Sequence, residues 1–405
     1  MYKRLFLMLI FFGSASSVVI AQHKGETKDS AFHAHQTKYG EFEGHARLFF
    51  MNTINEGSLD DYYALAAGAG LSYRTPKWKG FTAGMSGYFI FNLHSSHLAD
   101  ADPATGQKNR YEIGLFDIED HYNKSDLDRL EELYLKYNHK TTDITIGRQF
   151  ISTPFVNKQD GRMRPTIVEA AWLKSVIREK LTVEGGWIRR MSPRTTVSWY
   201  NIGESIGVYA PGVDEQGNKS GYPGNTESKG IAIAGLQYKD ETFHIQAWNT
   251  YVDNLMNTVL VQPEIRIPLN AGSKLMAGVQ YIYQSGTGNG GNEEADKKYY
   301  PDNADTWIIS SRLGYESRQW KTNVNYSRFS DKSRFLMPRE WGRDPFYTFL
   351  PRERNEGLGD VHAFTVNNEF TTLNNRWKFG LSYGNYQLPD PDNFRLNKYG
   401  LPSYH

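Results

Sequence analysis

In EFEGHARLFFMN, residues 41–52, Phe42, Gly44, Ala46, Leu48 and Phe50 alternate with Glu43, His45, Arg47 and Phe49. Successive side chains of a β-strand point to opposite faces, so this period of two describes a strand with two unlike faces. The segment 376–386 repeats the pattern, setting Trp377, Phe379, Leu381 and Tyr383 against Lys378, Gly380, Ser382 and Gly384. Phe81, Ala83, Met85, Phe89 and Phe91 make a third stripe. Outward from these, such segments recur at 41–52, 62–74, 80–92, 129–139, 141–151, 167–177, 180–190 and 229–239. They continue at 241–252, 257–267, 273–284, 305–316, 319–329, 361–371 and 376–386, always divided by turn residues. Most have the ~9–11 residues of a tilted transmembrane strand.

The connections are sorted by length. Short turns (TPKWK, HKTTD, KDE, NAGS, ESRQ, LNN) follow the even-numbered segments. Long connections, 93–128, 152–166, 191–228, 285–304 and 330–360, follow most odd-numbered ones. A transmembrane barrel has short periplasmic turns and long outer loops, whereas a soluble sandwich has no reason to sort them. The fold class expected is therefore all-β, an antiparallel up-and-down transmembrane β-barrel over 41–405. DLDRLEELYLKY (126–137) also suits an amphipathic helix through Leu127, Leu130 and Tyr134; the loop rhythm selects a strand with Leu133, Leu135 and Tyr137 on one face. Fifteen segments are an odd number, and single-chain bacterial barrels close with an even one. Either a further strand escapes the pattern or the sequence stops short of a natural C-terminus; the second is the expectation, with one or three strands missing.

The rest of the composition agrees. The chain is rich in aromatics (26 Tyr, 22 Phe, 9 Trp) yet polar on average. Such a balance suits a wall with one apolar and one wet face. Lys plus Arg (46) and Asp plus Glu (45) nearly cancel, so no nucleic acid or other polyanion is implied as a partner. Cysteine is absent, which excludes disulfides and thiolate metal sites. Lys3 and Arg4 precede the apolar run Leu5–Phe12, and VIA ends at Ala21, so 1–21 reads as a secretory signal peptide with Gln22 the first mature residue. No later stretch reaches the ~20 apolar residues of a membrane helix, so an exported chain that spans a membrane must do so with strands. Residues 22–40, with His23, His33 and His35, read as a flexible periplasmic arm in preference to a metal site.

IGRQFISTPFVNKQDGRMRPT (146–166) ends a strand and enters a loop dense in opposed charge. Pro154 and Pro165 stiffen it and Gly161 frees its backbone. With Asp160 opposite Arg162 and Arg164, and with Asn157 and Lys158 nearby, 152–166 could form a charged eyelet. A solvated loop whose charges pair with one another fits the same residues. On the assumed faces Arg47, Lys136, Arg266, Arg312 and Lys378 point inward. They form either a basic ladder or ordinary pairs with carboxylates such as Glu43, Glu132 and Glu264; Lys174 and Arg178 share parity with Trp172, which leaves their direction open. Catalysis finds little support: there is no GxSxG elbow, and His45, His244 and His362 are tied to no serine by spacing. GTGNGG (286–291) lacks the Lys-Ser/Thr ending of a phosphate loop. Asp100, Asp102, Asp117, Glu119 and Asp120 could bind calcium, but a solvated loop is the plainer reading. No cofactor or metal is expected.

Several stretches resemble the OprD family of outer-membrane porins, in the form carried by Bacteroidetes-type bacteria. They are GHARLFFMNTIN (44–55), DYYALAAGAGLSYRTP (61–76), KGFTAGMSGYFIFNL (79–93), RLEELYLKY (129–137), GRQFISTPFVNKQDGRMRP (147–165) and SPRTTVSWYNIGESIGVY (192–209). The resemblance implies a monomeric barrel of eighteen strands, about fifteen of them represented here. It also implies a constriction from the third outer loop, 152–166, aided by a later one, and a basic ladder along the lumen. The implied function is passive diffusion of small hydrophilic solutes (amino acids, peptides, organic acids or oligosaccharides) across the outer membrane of a Gram-negative bacterium, with no enzymatic step. The expected partners are outer-membrane lipid and the solute. A membrane-embedded barrel hydrolase and a non-conducting surface adhesin or scaffold are the rival expectations.

Overall fold

The computed structural model describes residues 32–37, 39–123, 126–351, 353 and 355–405, the first group as backbone alone. The expected leader (1–21), Gln22 and the arm as far as residue 31 lie outside the described residues. The chain forms β1 (Phe32–Thr37), β2 (Gly40–Thr53), β3 (Tyr62–Arg74), β4 (Phe81–Ser95), β5 (Arg129–His139) and β6 (Thr142–Gln149). It continues with β7 (Ile167–Arg178), β8 (Leu181–Ser192), the two-residue β9 (Tyr200–Asn201), β10 (Ile231–Lys239), β11 (Phe243–Val252) and β12 (Met256–Pro268). The last are β13 (Lys274–Gly286), β14 (Asp305–Glu316), β15 (Trp320–Phe329), β16 (His362–Thr371) and β17 (Lys378–Gln387). Every segment expected from the sequence is a strand, including the ambiguous one at β5. What the sequence reading did not foresee is β1, a hairpin arm on the start of β2 within the stretch expected to be flexible.

Each strand pairs antiparallel with the next, and β8 passes directly to β10, leaving β9 on the end of β8. The meander continues unbroken from β10 to β17. No ladder between β17 and β2 is present among the described residues. Turn chemistry sets these registers locally. In the β10–β11 turn the Asp240 carboxylate accepts the amides of Thr242 (2.9 Å) and Phe243 (2.7 Å), which closes a three-residue connection. Gly147, at φ 120°, lies where any Cβ would strike the Leu133 carbonyl, so the close approach of β5 and β6 there requires glycine. Pro263 has no amide to give, and the β12–β13 ladder skips it and Gln262 while keeping its register on both sides.

The two faces are inverted relative to a soluble protein. Leu48, Leu71, Leu313 and Leu381 are each about two-thirds or more exposed, with Phe50, Phe89, Phe91 and Phe379 close behind; Leu48, Phe50, Phe89, Phe91, Phe379 and Leu381 hold the parity the sequence assigned to the apolar face. A contiguous apolar surface of this extent marks contact with lipid or protein. Aromatics gather near the short turns, with Phe42 against Tyr73 (4.6 Å between centroids), Phe81 against Tyr137 (4.8 Å) and Trp320 against Phe370 (4.7 Å). That is the position of an interfacial girdle. Among the described residues no helix is long and apolar enough to cross a membrane; strands carry the apolar band instead.

The inward parity is polar. Near the long loops it is also covered: Gln280, Gln284, Ser310, Ser327 and Thr365 are buried. Gln284 donates to the Thr258 hydroxyl (2.8 Å) and the Leu336 carbonyl (2.9 Å), and Ser327 shares a hydrogen bond with Thr348 (2.8 Å). Leu336 and Thr348 belong to the connection 330–360, which therefore folds inward against the wall. Near the short turns the same face is open: the side chains of Lys136, Asp143, Lys274 and Lys378 are a third to more than half exposed. The interior is filled at the loop end and clear at the turn end.

A charge on the outer face at mid-membrane costs ~2–4 kcal/mol. Leu313→Arg should lower unfolding stability in lipid vesicles by about that much, while Leu313→Phe stays near the parent; urea titration of the refolded protein measures both.

Candidate functional site

The connection between β6 and β7 crosses the interior. Its first half is held by apolar packing: Phe155 and Val156 are buried in one cluster with Phe335 and Trp341 of the 330–360 connection. Asn157 then locks the two segments together. Its amide donates to the Trp341 carbonyl (2.9 Å), its Nδ2 to the Arg343 carbonyl (2.9 Å), and its Oδ1 accepts the Arg343 amide (3.1 Å). The Thr166 amide donates to the Lys158 carbonyl (2.8 Å) and closes the loop on itself, while the Thr166 hydroxyl donates to the Glu340 carbonyl (3.2 Å). The Lys158 ammonium sits 4.5 Å from the centre of the Phe150 ring.

Beyond Lys158 the tip reaches the other side of the wall. Asp160 takes both ends of the Arg47 guanidinium from β2 (2.6 and 3.0 Å), and Arg47 also donates to the Arg162 carbonyl. The Arg162 guanidinium rests on Gly114, where any side chain would displace it. Met163 is buried among Tyr88, Ile90, Ile113 and Phe116. Arg164 is 0 % exposed; its Nη2 lies 3.4 Å from the Phe116 carbonyl. Burial, and then the nearby Arg129, lower its pKa, while Glu131 and Asp117 act the other way. An arginine so placed keeps its proton at neutral pH.

Two of these placements differ from the sequence expectation. Asp160 faces Arg47, 113 positions earlier in the chain, in place of Arg162 and Arg164. Arg164 is buried beneath the loop with the Phe116 carbonyl as its hydrogen-bond acceptor, so it supports the tip from behind. The Arg47–Asp160 pair is a quarter to a third exposed, which makes it worth only ~0.2–1 kcal/mol. Burying a side chain such as Phe155 or Met163 contributes ~1.5–3 kcal/mol. Packing anchors the loop, and the ion pair sets the field at its tip.

The five basic residues expected inside all lie on the face opposite the exposed apolar side chains, and four have a carboxylate partner. Arg47 has Asp160 (2.6 Å), Lys136 has Asp143 (2.7 Å), Lys378 has Glu369 (2.8 Å) and Arg266 stands 3.9 Å from Glu264. Arg312 donates to Asn325 (3.0 Å) and stacks over the Tyr347 ring at 4.1 Å; the Tyr347 hydroxyl in turn donates to Glu264 (2.7 Å). Trp172 is buried, and Lys174, of the same parity, reaches Glu184 (3.7 Å), so Lys174 points inward too. Sequence reasoning missed Tyr347, Arg343 and Gly114. The length of 330–360 hinted that it folds inward, but nothing local indicated what it would touch.

The histidines are engaged without a serine: His45 stacks on Tyr88 (5.0 Å), His244 stands 3.5 Å from Glu264, and His362 shares a hydrogen bond with Tyr326 (2.7 Å). In the acidic connection Asp102 accepts the amides of Asp60 (2.7 Å) and Thr105 (2.8 Å), work that orders a turn.

Residues 46–352 match the family described as outer membrane porin, OprD family. The fold is similar to that of OccK8 (OprE) from Pseudomonas aeruginosa, with a TM-score of 0.68 at 14% identity over 87% of this chain and 86% of that one. OccAB4 from Acinetobacter baumannii gives 0.65 at 16% identity over 87% and 83%. A BenF-like porin from Pseudomonas fluorescens Pf-5 gives a TM-score of 0.63 at 12% identity over 86% and 82%. No curated protein sequence matches the chain. A polar interior crossed by an inward loop, inside a wall of β-strands with an apolar outer face, is the arrangement of a channel, and the chain belongs to the OprD family of outer membrane porins, non-enzymatic barrels that let small solutes diffuse passively.

Proposed function

We propose that the protein is exported by its N-terminal leader to the outer membrane of a Gram-negative bacterium and acts there as a monomeric, substrate-selective pore. Small hydrophilic solutes (amino acids, peptides, organic acids or oligosaccharides) pass a constriction built from Asn157, Lys158, Asp160, Arg162 and Arg164. In this reading Asn157 and Arg164 hold the loop in place, while Lys158, Asp160 and Arg162 present charge to the solute. Arg47, Lys136, Arg266, Arg312 and Lys378 then offer successive donors to its oxygens along the wall. The observation that carries the reading is the span of the loop: it is bonded to Arg343 at one end and to Arg47 at the other, across the interior. A low-dielectric wall concentrates the field of charges held there.

Planar-bilayer recording should give discrete current steps, and none would end the channel reading. Liposome swelling with a panel of acids, sugars and peptides should show a ranked preference that Arg162→Ala changes; an unaltered ranking removes Arg162 from the constriction. Met163→Ala should destabilise the loop by ~2–5 kcal/mol, seen as added open-channel noise, whereas Arg47→Ala should change stability by about 1 kcal/mol or less and still shift ion selectivity.

A further inference from the structure

Charge at the turn end of the interior follows a rule. Lys274 on β13 pairs in register with Glu316 on β14, Glu316 with Lys321 on β15, and Lys321 with Glu369 on β16. Lys378 on β17 closes on Glu369 at 2.8 Å, and Lys274 on Glu316 at 3.1 Å. Their chain neighbours Leu275, Tyr315, Trp320 and Phe379 are exposed on the outer face, so all five charged residues point inward. Across the interior the sequence of signs repeats. Asp143 on β6 stands opposite Lys174 on β7, and Lys174 opposite Glu184 on β8, with Lys136 of β5 at 2.7 Å from Asp143. Glu41 and Arg74 make a further pair on β2 and β3 (2.9 Å).

We propose that these residues form a charge-alternating belt that makes the turn-end mouth of the pore indifferent to net charge. The consequence is a substrate class: zwitterionic or neutral polar solutes pass at least as readily as anions. Stability does not account for the belt, because exposed pairs of this kind contribute little each. Its effect is on the field. Opposite charges a few ångströms apart cancel at a distance, and salt screens the remainder beyond ~8–10 Å. A solute at the wall meets alternating donors and acceptors, which suit a molecule carrying both signs or many hydroxyls. A row of lysines and arginines with no acids between them would favour carboxylates; along the two runs β5–β8 and β13–β17 an acid stands between successive bases.

The inference rests on the channel reading, and one set of experiments separates them. The full chain in planar bilayers under a KCl gradient should reverse near zero potential, and liposomes should swell with glycine at least as fast as with the similar-sized anion glycolate. Asp143→Asn and Glu369→Gln should each shift the reversal potential toward anions. Exchanging the pair, with Lys136→Asp and Asp143→Lys together, should restore the parent value. Each variant's β-content by circular dichroism checks that it has folded. Strong anion selectivity of the parent, glycolate outrunning glycine, or folded single variants that leave the potential unmoved would each overturn the belt. Absence of any current would remove the channel reading, and the belt's role with it.

Discussion

Inside a bilayer no water is present to satisfy an unpaired amide or carbonyl, and that constraint organises this molecule. Backbone polarity is absorbed strand to strand, which frees the side chains to divide by parity. The outward set is apolar and the inward set polar, the reverse of a water-soluble core. Gln280, Gln284, Ser310 and Ser327 would be costly residues to bury in an ordinary interior. Here they bond to one another and to the inward connection, so their desolvation is offset locally.

That inward connection explains why the loops are long. Residues 330–360 do not simply join β15 to β16; they supply Leu336, Tyr347 and Thr348 as partners for the wall, and Trp341 and Arg343 as partners for the crossing loop. The crossing loop is thus gripped by packing at one end and by Met163 and Arg164 at the other. The ion pair between Asp160 and Arg47 at its tip adds little to that grip.

Much of the wall was legible in the sequence. Period two and turn residues are local signals, and they located the strands and the inward parity of Arg47, Lys136, Arg266, Arg312 and Lys378. The β5 segment was settled by the loop rhythm, since its own periodicity allowed a helix. The site was only half legible. That 152–166 carries concentrated charge could be read, but Asp160 meeting Arg47 depends on how strands far apart in sequence are brought round the same interior. Arg164 shows the limit most clearly. Its charge suggested a place beside the solute, whereas it is buried under the loop beside the Phe116 carbonyl of the preceding long connection, close enough to Glu131 of β5 to feel its charge. Likewise β1 carried no strong alternation, and its pairing depends on the edge that β2 offers.

An interior stopped with protein at one end and clear at the other is a funnel. Diffusion through it cannot be driven uphill, since a passive path obeys the same equilibrium from both sides. Yet a molecule arriving at the wide end gathers in a chamber before it meets the narrow part, while one arriving at the narrow end is sorted first and then released into open water. The two directions of travel therefore need not saturate at the same concentration, even though their ratio at equilibrium is fixed.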